Sequence, residues 1–323
     1  MKIERLSGNP IITQALDASL GNNINGPSLI RVPDWVPDPL GRYYLYFAHH
    51  NGRFIRLAYA DALQGPWRIH APGVLPVELS TCTDHVASPD VHVDHERREI
   101  RMYFHGVAFP RGQTDGHEQQ FGEASRWIGN QRSKLAVSRD GLAFQAKPEP
   151  LGASYFRAFQ WGGWTYALAM PGVFYRSSDG AGGFELGPIL FHPSFRHCAV
   201  WVREHMLHVF FTRAGDCPES IMHTAVDLRP DWRDWTLGEV RTVLRPQHAY
   251  EGGELTPRTS ARGPVFQPVC ELRDPAVFVE DGCSYLLYAA AGEQAIAIAA
   301  IKRSRRRAQV RTIARPWLSF THE

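Results

Sequence analysis

A chain of 323 residues, 44% apolar and 11% aromatic, can bury a sizeable core, yet no apolar run nears the roughly 20 residues that span a bilayer. Its net charge of +2, with no basic stripe interleaved with aromatics in the body, argues against a nucleic-acid partner as well as a membrane one. The five cysteines are odd in number and never at C-x-x-C spacing, which fits a reducing compartment rather than a disulfide framework or thiolate zinc site. The first ten residues lack the apolar stretch of a secretory signal, so the cytoplasm is the expected location.

In chain order, an element returns five times: an apolar strand with a polar or charged entrance, a turn, and a second aromatic-rich strand. Blade one spans about 25–70, with strands expected at Ser28–Val32, Tyr43–Ala48 and Phe54–Ala60. Blade two, about 84–147, carries an insertion from Gly106 to Arg132 and an Asp140-Gly141 hairpin turn. Blade three, about 152–188, reads Tyr155–Phe159, Trp164–Ala169 and Val173–Ser177. Blade four, about 194–245, reads Ala199–Val202, Met206–Phe211, Ser220–Val226 and an outer strand at Trp235–Leu237. Blade five starts near Leu272 and lacks an outer strand, which residues 3–14 are expected to supply. Period-2 alternation without helical periodicity predicts an all-β, five-bladed β-propeller, closed by its N-terminal segment, as one domain over 1–301. A basic tail follows over 302–323, seven Lys and Arg against one Glu, and is expected to be a solvated end.

Ile24-Asn25-Gly26-Pro27-Ser28, Ser88-Pro89-Asp90-Val91, Ser138-Arg139-Asp140-Gly141 and Leu272-Arg273-Asp274-Pro275-Ala276-Val277-Phe278, in this order and blade spacing, resemble the glycoside hydrolase family 43-like proteins. The resemblance covers residues 9–301 and implies a five-bladed propeller that inverts a glycosidic bond with three acids. These are a base from blade one, a pKa-modulating Asp from blade two and a general-acid Glu from blade three. Asp90 matches the blade-two Asp. The blade-one base position reads as Asn25, which cannot take a proton, and blade three offers Tyr155, Phe156 and Arg157 instead of Glu.

The inner strands are expected to bring Asn25, His85, Asp90, Arg157, Arg196, His197, Arg273 and Asp274 to the axis, a cationic pocket containing acids. Arginine binds carboxylates in a bidentate way, so a substrate with a negative group, such as a uronic acid or sulfated sugar, is expected. Asp90, Glu251 and Asp274 are the candidate catalytic groups, Glu251 because a carboxylate flanked by glycine can reach over a pocket. Glu118 and Glu123 are weaker candidates in the insertion. His49, His105 and Trp127 join the substrate-binding candidates, and Trp127, Trp161, Tyr155 and Phe156 offer faces for a sugar ring.

No metal or other cofactor is called for by sequence spacing, although His85 and His197 could meet as ligands from separate blades. Three readings stay open. The leading one is exo-acting, inverting hydrolysis of a short, acidic oligosaccharide, with Asp90→Asn expected to cut turnover at least about a hundredfold. The others are a lyase using His, Tyr and Arg, and a propeller that binds sugar without catalysis.

Overall fold

The computed structural model describes residues 1–302 except 111, 112 and 114, with the backbone alone at 118, 123, 124, 126 and 127. Five antiparallel sheets stand around an axis, each with its first strand innermost. The inner strands are Asn25–Arg31, Val86–Asp94, Arg157–Trp161, Phe195–Arg203 and Arg273–Glu280. The expected five-bladed, all-β propeller is therefore the fold.

Alternation along each second strand builds the core between blades. In blade one, Tyr43, Leu45 and Phe47 pack with Phe278, Leu287 and Ile298 of blade five. Tyr44 and Tyr46, on the other face, pack with Val91, Met102 and Phe104 of blade two. A strand buried on both faces can dispense with polar residues, and Tyr43–Ala48 has none of its six residues exposed.

Turns of the Ser-x-Asp-Gly type tie blades together. Tyr46 Oη donates to Gly141 O at 3.0 Å, and one blade on, Tyr103 Oη donates to Gly180 O at 2.7 Å. Gly141 (φ 76°) must be glycine, because a Cβ there would lie 2.6 Å from Tyr46 Oη.

The N-terminal segment closes the ring. Lys2–Arg5 pairs with the last strand, Ala295–Lys302, setting Ile3 against Ile301, and Ile12–Thr13 adds to the same edge. This covers an edge that would otherwise present free N–H and C=O groups.

Two local expectations differ. The outer strand of blade four is Arg241–Leu244 rather than Trp235–Leu237. Trp235 is instead buried, its ring 5.0 Å from Tyr166 of blade three, because inter-blade burial of a large aromatic outweighs strand pairing there. The inner strand of blade three starts at Arg157, two residues later than expected, and Tyr155 before it has φ 71°. Residues 303–323 of the basic tail lie outside the described residues.

Candidate functional site

Most inner strands enter the axis through a kink. Their register with the second strand slips between Asn25 and Ser28, Ala87 and Asp90, Arg196 and Cys198, and Arg273 and Ala276. A bulge leaves one residue unpaired and re-aims its neighbours. Gly26 (φ 59°), Ser88 (φ 50°) and Asp274 (φ 46°) occupy these kinks, each followed by proline. A non-glycine residue held there costs on the order of 1–3 kcal/mol, and such strain clusters at functional sites.

Ser88, Tyr155 and Asp274, three of the strained residues, line one cavity of about 360 Å³ where the inner strands begin. Asn25, His50, His85, His105, Arg196, His197 and Arg262 line it too, and Ile128–Gln131 of the blade-two insertion form its rim. A second cavity of about 400 Å³ opens where the inner strands end, lined by Asp90, His92, Arg157 and Trp201 among others. Arg157 sits between these mouths. Its Nε donates to Cys198 O (2.9 Å) and its Nη1 to Pro89 O (2.8 Å) and Ser88 O (3.2 Å), with the guanidinium 4.3 Å from the Tyr155 ring centre.

In the first mouth Asp274 is the one lining carboxyl among the described residues. Tyr155 Oη donates to its Oδ1 at 2.8 Å, while Oδ2 lies 3.5 Å from His197 Nδ1 without a hydrogen-bond partner. Burial, helped by the charge of Glu293, pushes the Asp274 carboxyl up to about 6, against the pull of the Tyr155 hydrogen bond and of Arg196 and Arg273. Burial also pushes His197 and His105 well below the ordinary histidine value, so both are neutral near pH 7. His197 stacks on Tyr155 with ring centres 5.2 Å apart. Burial and the neighbouring Arg196 lower the Arg262 guanidinium against the pull of Glu219, which pairs with Arg196 at 3.4 Å. Among the described residues no group of three or more His, Cys, Asp or Glu is close enough to hold a metal ion.

The sequence candidates divide by place. Asn25, His85, His105, His197 and Asp274 are gathered in the first mouth. Asp90 faces the second mouth, where Oδ2 accepts from Ala158 N at 2.7 Å and lies 2.8 Å from His92 Nε2. Arg273 is spent on structure. Its guanidinium bonds Glu271 and Glu293 and the carbonyls of Gly263 and Ala261. Glu251 lies at the closing seam rather than over a pocket, taking bonds from Arg5, Tyr288 and the N–H groups of Gln247 and His248.

His49 stays off the cavity wall with its ring 5.9 Å from Phe266. Of the aromatics, Tyr155 reaches the cavity, Phe156 packs on Tyr175 and Trp161 bonds Leu228 O. The side chains of Trp127, Glu118 and Glu123 lie outside the described residues. His50, beside the candidate His49 at the end of the second strand of blade one, and Arg262 are cavity residues that were not among the candidates. Arg262 sits in the long blade-four to blade-five connection, where no periodicity signals direction.

The register also aligns the entrances of blades one and five. Asn25 is in step with Arg273, and Gly26, not Asn25, with Asp274. A Cβ at Gly26 would lie 3.0 Å from the Ser88 Cα, so the tight approach of blade two leaves little room for a side chain there.

No family model matches the chain. An uncharacterized protein of Acanthamoeba polyphaga mimivirus is 32% identical over 309 residues, covering 85% of this chain and 82% of that protein. Among solved structures, a family-43 β-xylosidase/α-arabinofuranosidase from a compost metagenome, in complex with xylotriose, aligns with TM-score 0.58 at 13% identity, over 94% of this chain and 96% of its own. A family-43 enzyme of Xanthomonas citri aligns with TM-score 0.57 at 11% identity, over 88% of each chain. An exo-1,5-α-L-arabinanase from a bovine ruminal library aligns with TM-score 0.55 at 11% identity, over 88% and 94%. At these identities the likeness is one of fold.

Proposed function

This chain belongs to one family with the uncharacterized mimivirus protein, and on that premise we propose that it hydrolyses a glycosidic bond of a short, acidic saccharide in the first mouth. The observation that carries this reading is Asp274, a buried carboxyl raised to about 6 on the wall of a cavity with no other lining carboxyl among the described residues. A carboxyl with this value holds its proton under mildly acidic conditions and can give it to a leaving-group oxygen. Tyr155 fixes its orientation through Oδ1.

Arg196 and Arg262 supply the argument for an acidic substrate. Both line the cavity, and a guanidinium gives charge-assisted hydrogen bonds to a carboxylate or sulfate that a neutral sugar cannot match. The xylotriose held by the compost enzyme supports an oligosaccharide in a propeller of this fold.

A panel of uronic-acid-containing and neutral oligosaccharides tests the reading. New reducing ends from the acidic members, lost in Asp274→Asn, are the expected result, and turnover of neutral members alone overturns the acidic assignment. The stacked Tyr155 and neutral His197 beside two arginines favour β-elimination as a second reading. A product absorbing in the near ultraviolet would replace hydrolysis with it.

A further inference from the structure

Inversion pairs its acid with a group that takes a proton from water, ordinarily a second carboxylate about 6.5–9.5 Å away. The lining of the first mouth holds no second carboxylate among the described residues. It does hold a histidine backed by one. We infer that His50, oriented by Glu293, is the proton acceptor of this mouth, an inference that rests on the hydrolytic reading above.

His50 follows the second strand of blade one (Tyr43–Ala48) and lines the cavity with its side chain 30% exposed. Its Nδ1 lies 3.4 Å from Glu293 Oε1, and Glu293 is fully buried. Three hydrogen bonds, with Arg273 and Asn23, hold this pair in place. Arg273 Nη1 donates to Glu293 Oε1 at 3.0 Å, Asn23 Nδ2 donates to Glu293 Oε2, and the His50 backbone N–H donates to Asn23 Oδ1 at 2.8 Å. Burial alone would raise the Glu293 carboxyl. The hydrogen bond of His50, the Arg273 charge and the Asn23 hydrogen bond pull it below the ordinary value, so it is an anion.

With the Glu293 carboxylate on the Nδ1 side, an imidazole protonated at Nδ1 keeps its Nε2 lone pair as the acceptor. The same carboxylate orients the ring, as an acid does behind a catalytic histidine. The other cavity histidines lack this arrangement. The carboxylate beside His85 is the exposed Asp84, 3.6 Å away, and the one beside His197 is Asp274 with its raised value.

The step balances without any further reactant. The water oxygen bonds to the anomeric carbon as the glycosidic bond breaks. One water proton goes to His50 Nε2, and the Asp274 proton goes to the leaving oxygen. Solvent exchange then restores His50 to neutral and Asp274 to its acid form.

Aryl uronides and the matching uronosyl fluorides separate the roles, because fluoride leaves without a proton. His50→Ala is expected to lower kcat at least about a hundredfold on both probes, and added imidazole to restore at least about tenfold of it. Asp274→Asn slows the aryl uronide and spares the fluoride. Glu293→Gln lowers kcat while leaving KM within about twofold, as a positioning residue should.

Wild-type cleavage with His50→Ala unimpaired overturns the inference and leaves hydrolysis standing. A His50→Ala protein that melts normally, is slow, and gains nothing from imidazole also overturns it. A wild-type protein that cleaves neither probe nor any member of the acidic panel overturns the hydrolytic reading, and the inference with it.

Discussion

Asp274 carries a cost that can be measured without any substrate. Its folded value of about 6 lies above the ordinary 3.8, so its contribution to stability is complete below about pH 4 and is lost as pH rises through about 6. Removing the charge with Asp274→Asn should therefore stabilise the fold by on the order of 2–3 kcal/mol near pH 8 and by little near pH 4, read from urea unfolding at both. The same variant should lose at least about a hundredfold in turnover, the stability–activity exchange expected of a strained catalytic position. Tyr155 tunes the group in the opposite sense. Its hydrogen bond favours the ionised carboxyl, so Tyr155→Phe should move the alkaline fall of the rate profile, set by loss of the Asp274 proton, to higher pH.

Among the elements, the closing seam depends on one buried knot. Arg5 reaches Glu251 through Nε at 2.7 Å and Nη2 at 2.9 Å, and Tyr288 Oη adds a third bond at 2.7 Å. These residues come from the N-terminal strand, the blade-four to blade-five connection and the second strand of blade five. Arg5→Ala strands a fully buried carboxylate, and should cost about 3 kcal/mol in chemical denaturation while leaving kcat and KM unchanged in the protein that stays folded. Glycine flanking made Glu251 look like a reaching loop residue. Gly252 instead has φ 73° and ends a short turn that delivers Glu251 inward, where a Cβ on Gly252 would lie 2.2 Å from Val269 O.

Across the whole molecule, the decisive division is between two mouths with Arg157 between them. Asp90 and Asp274 both read as axial acids, yet they belong to different cavities. With chemistry in the first mouth, Asp90→Asn should keep turnover within about tenfold of wild type, and a hundredfold loss would relocate the reaction. Its effect should fall on stability, because Asp90 accepts the Ala158 N–H that joins the inner strands of blades two and three.

Five copies of an apolar, alternating strand pair determined the blades, their order and the need for the N-terminal segment at the last edge. Each of these follows from local periodicity and from the cost of an open sheet edge. Asn25, His85, His105, His197 and Asp274 were legible as axial residues for the same reason, since they stand at the entrances or ends of repeated strands. Direction was not legible. A single unpaired residue flips every later side chain to the other face, and the kinks at Gly26, Ser88 and Asp274 depend on contacts with neighbouring blades. Pairing across the ring was hidden as well. Arg5 with Glu251 spans 246 positions, and Glu293 stands behind His50 only because blades one and five meet. The sequence therefore determined where an axis would lie and which residues could reach it. The tertiary structure decided which mouth each one faces and which charges stand behind it, because both depend on bulges and inter-blade contacts that no local pattern encodes.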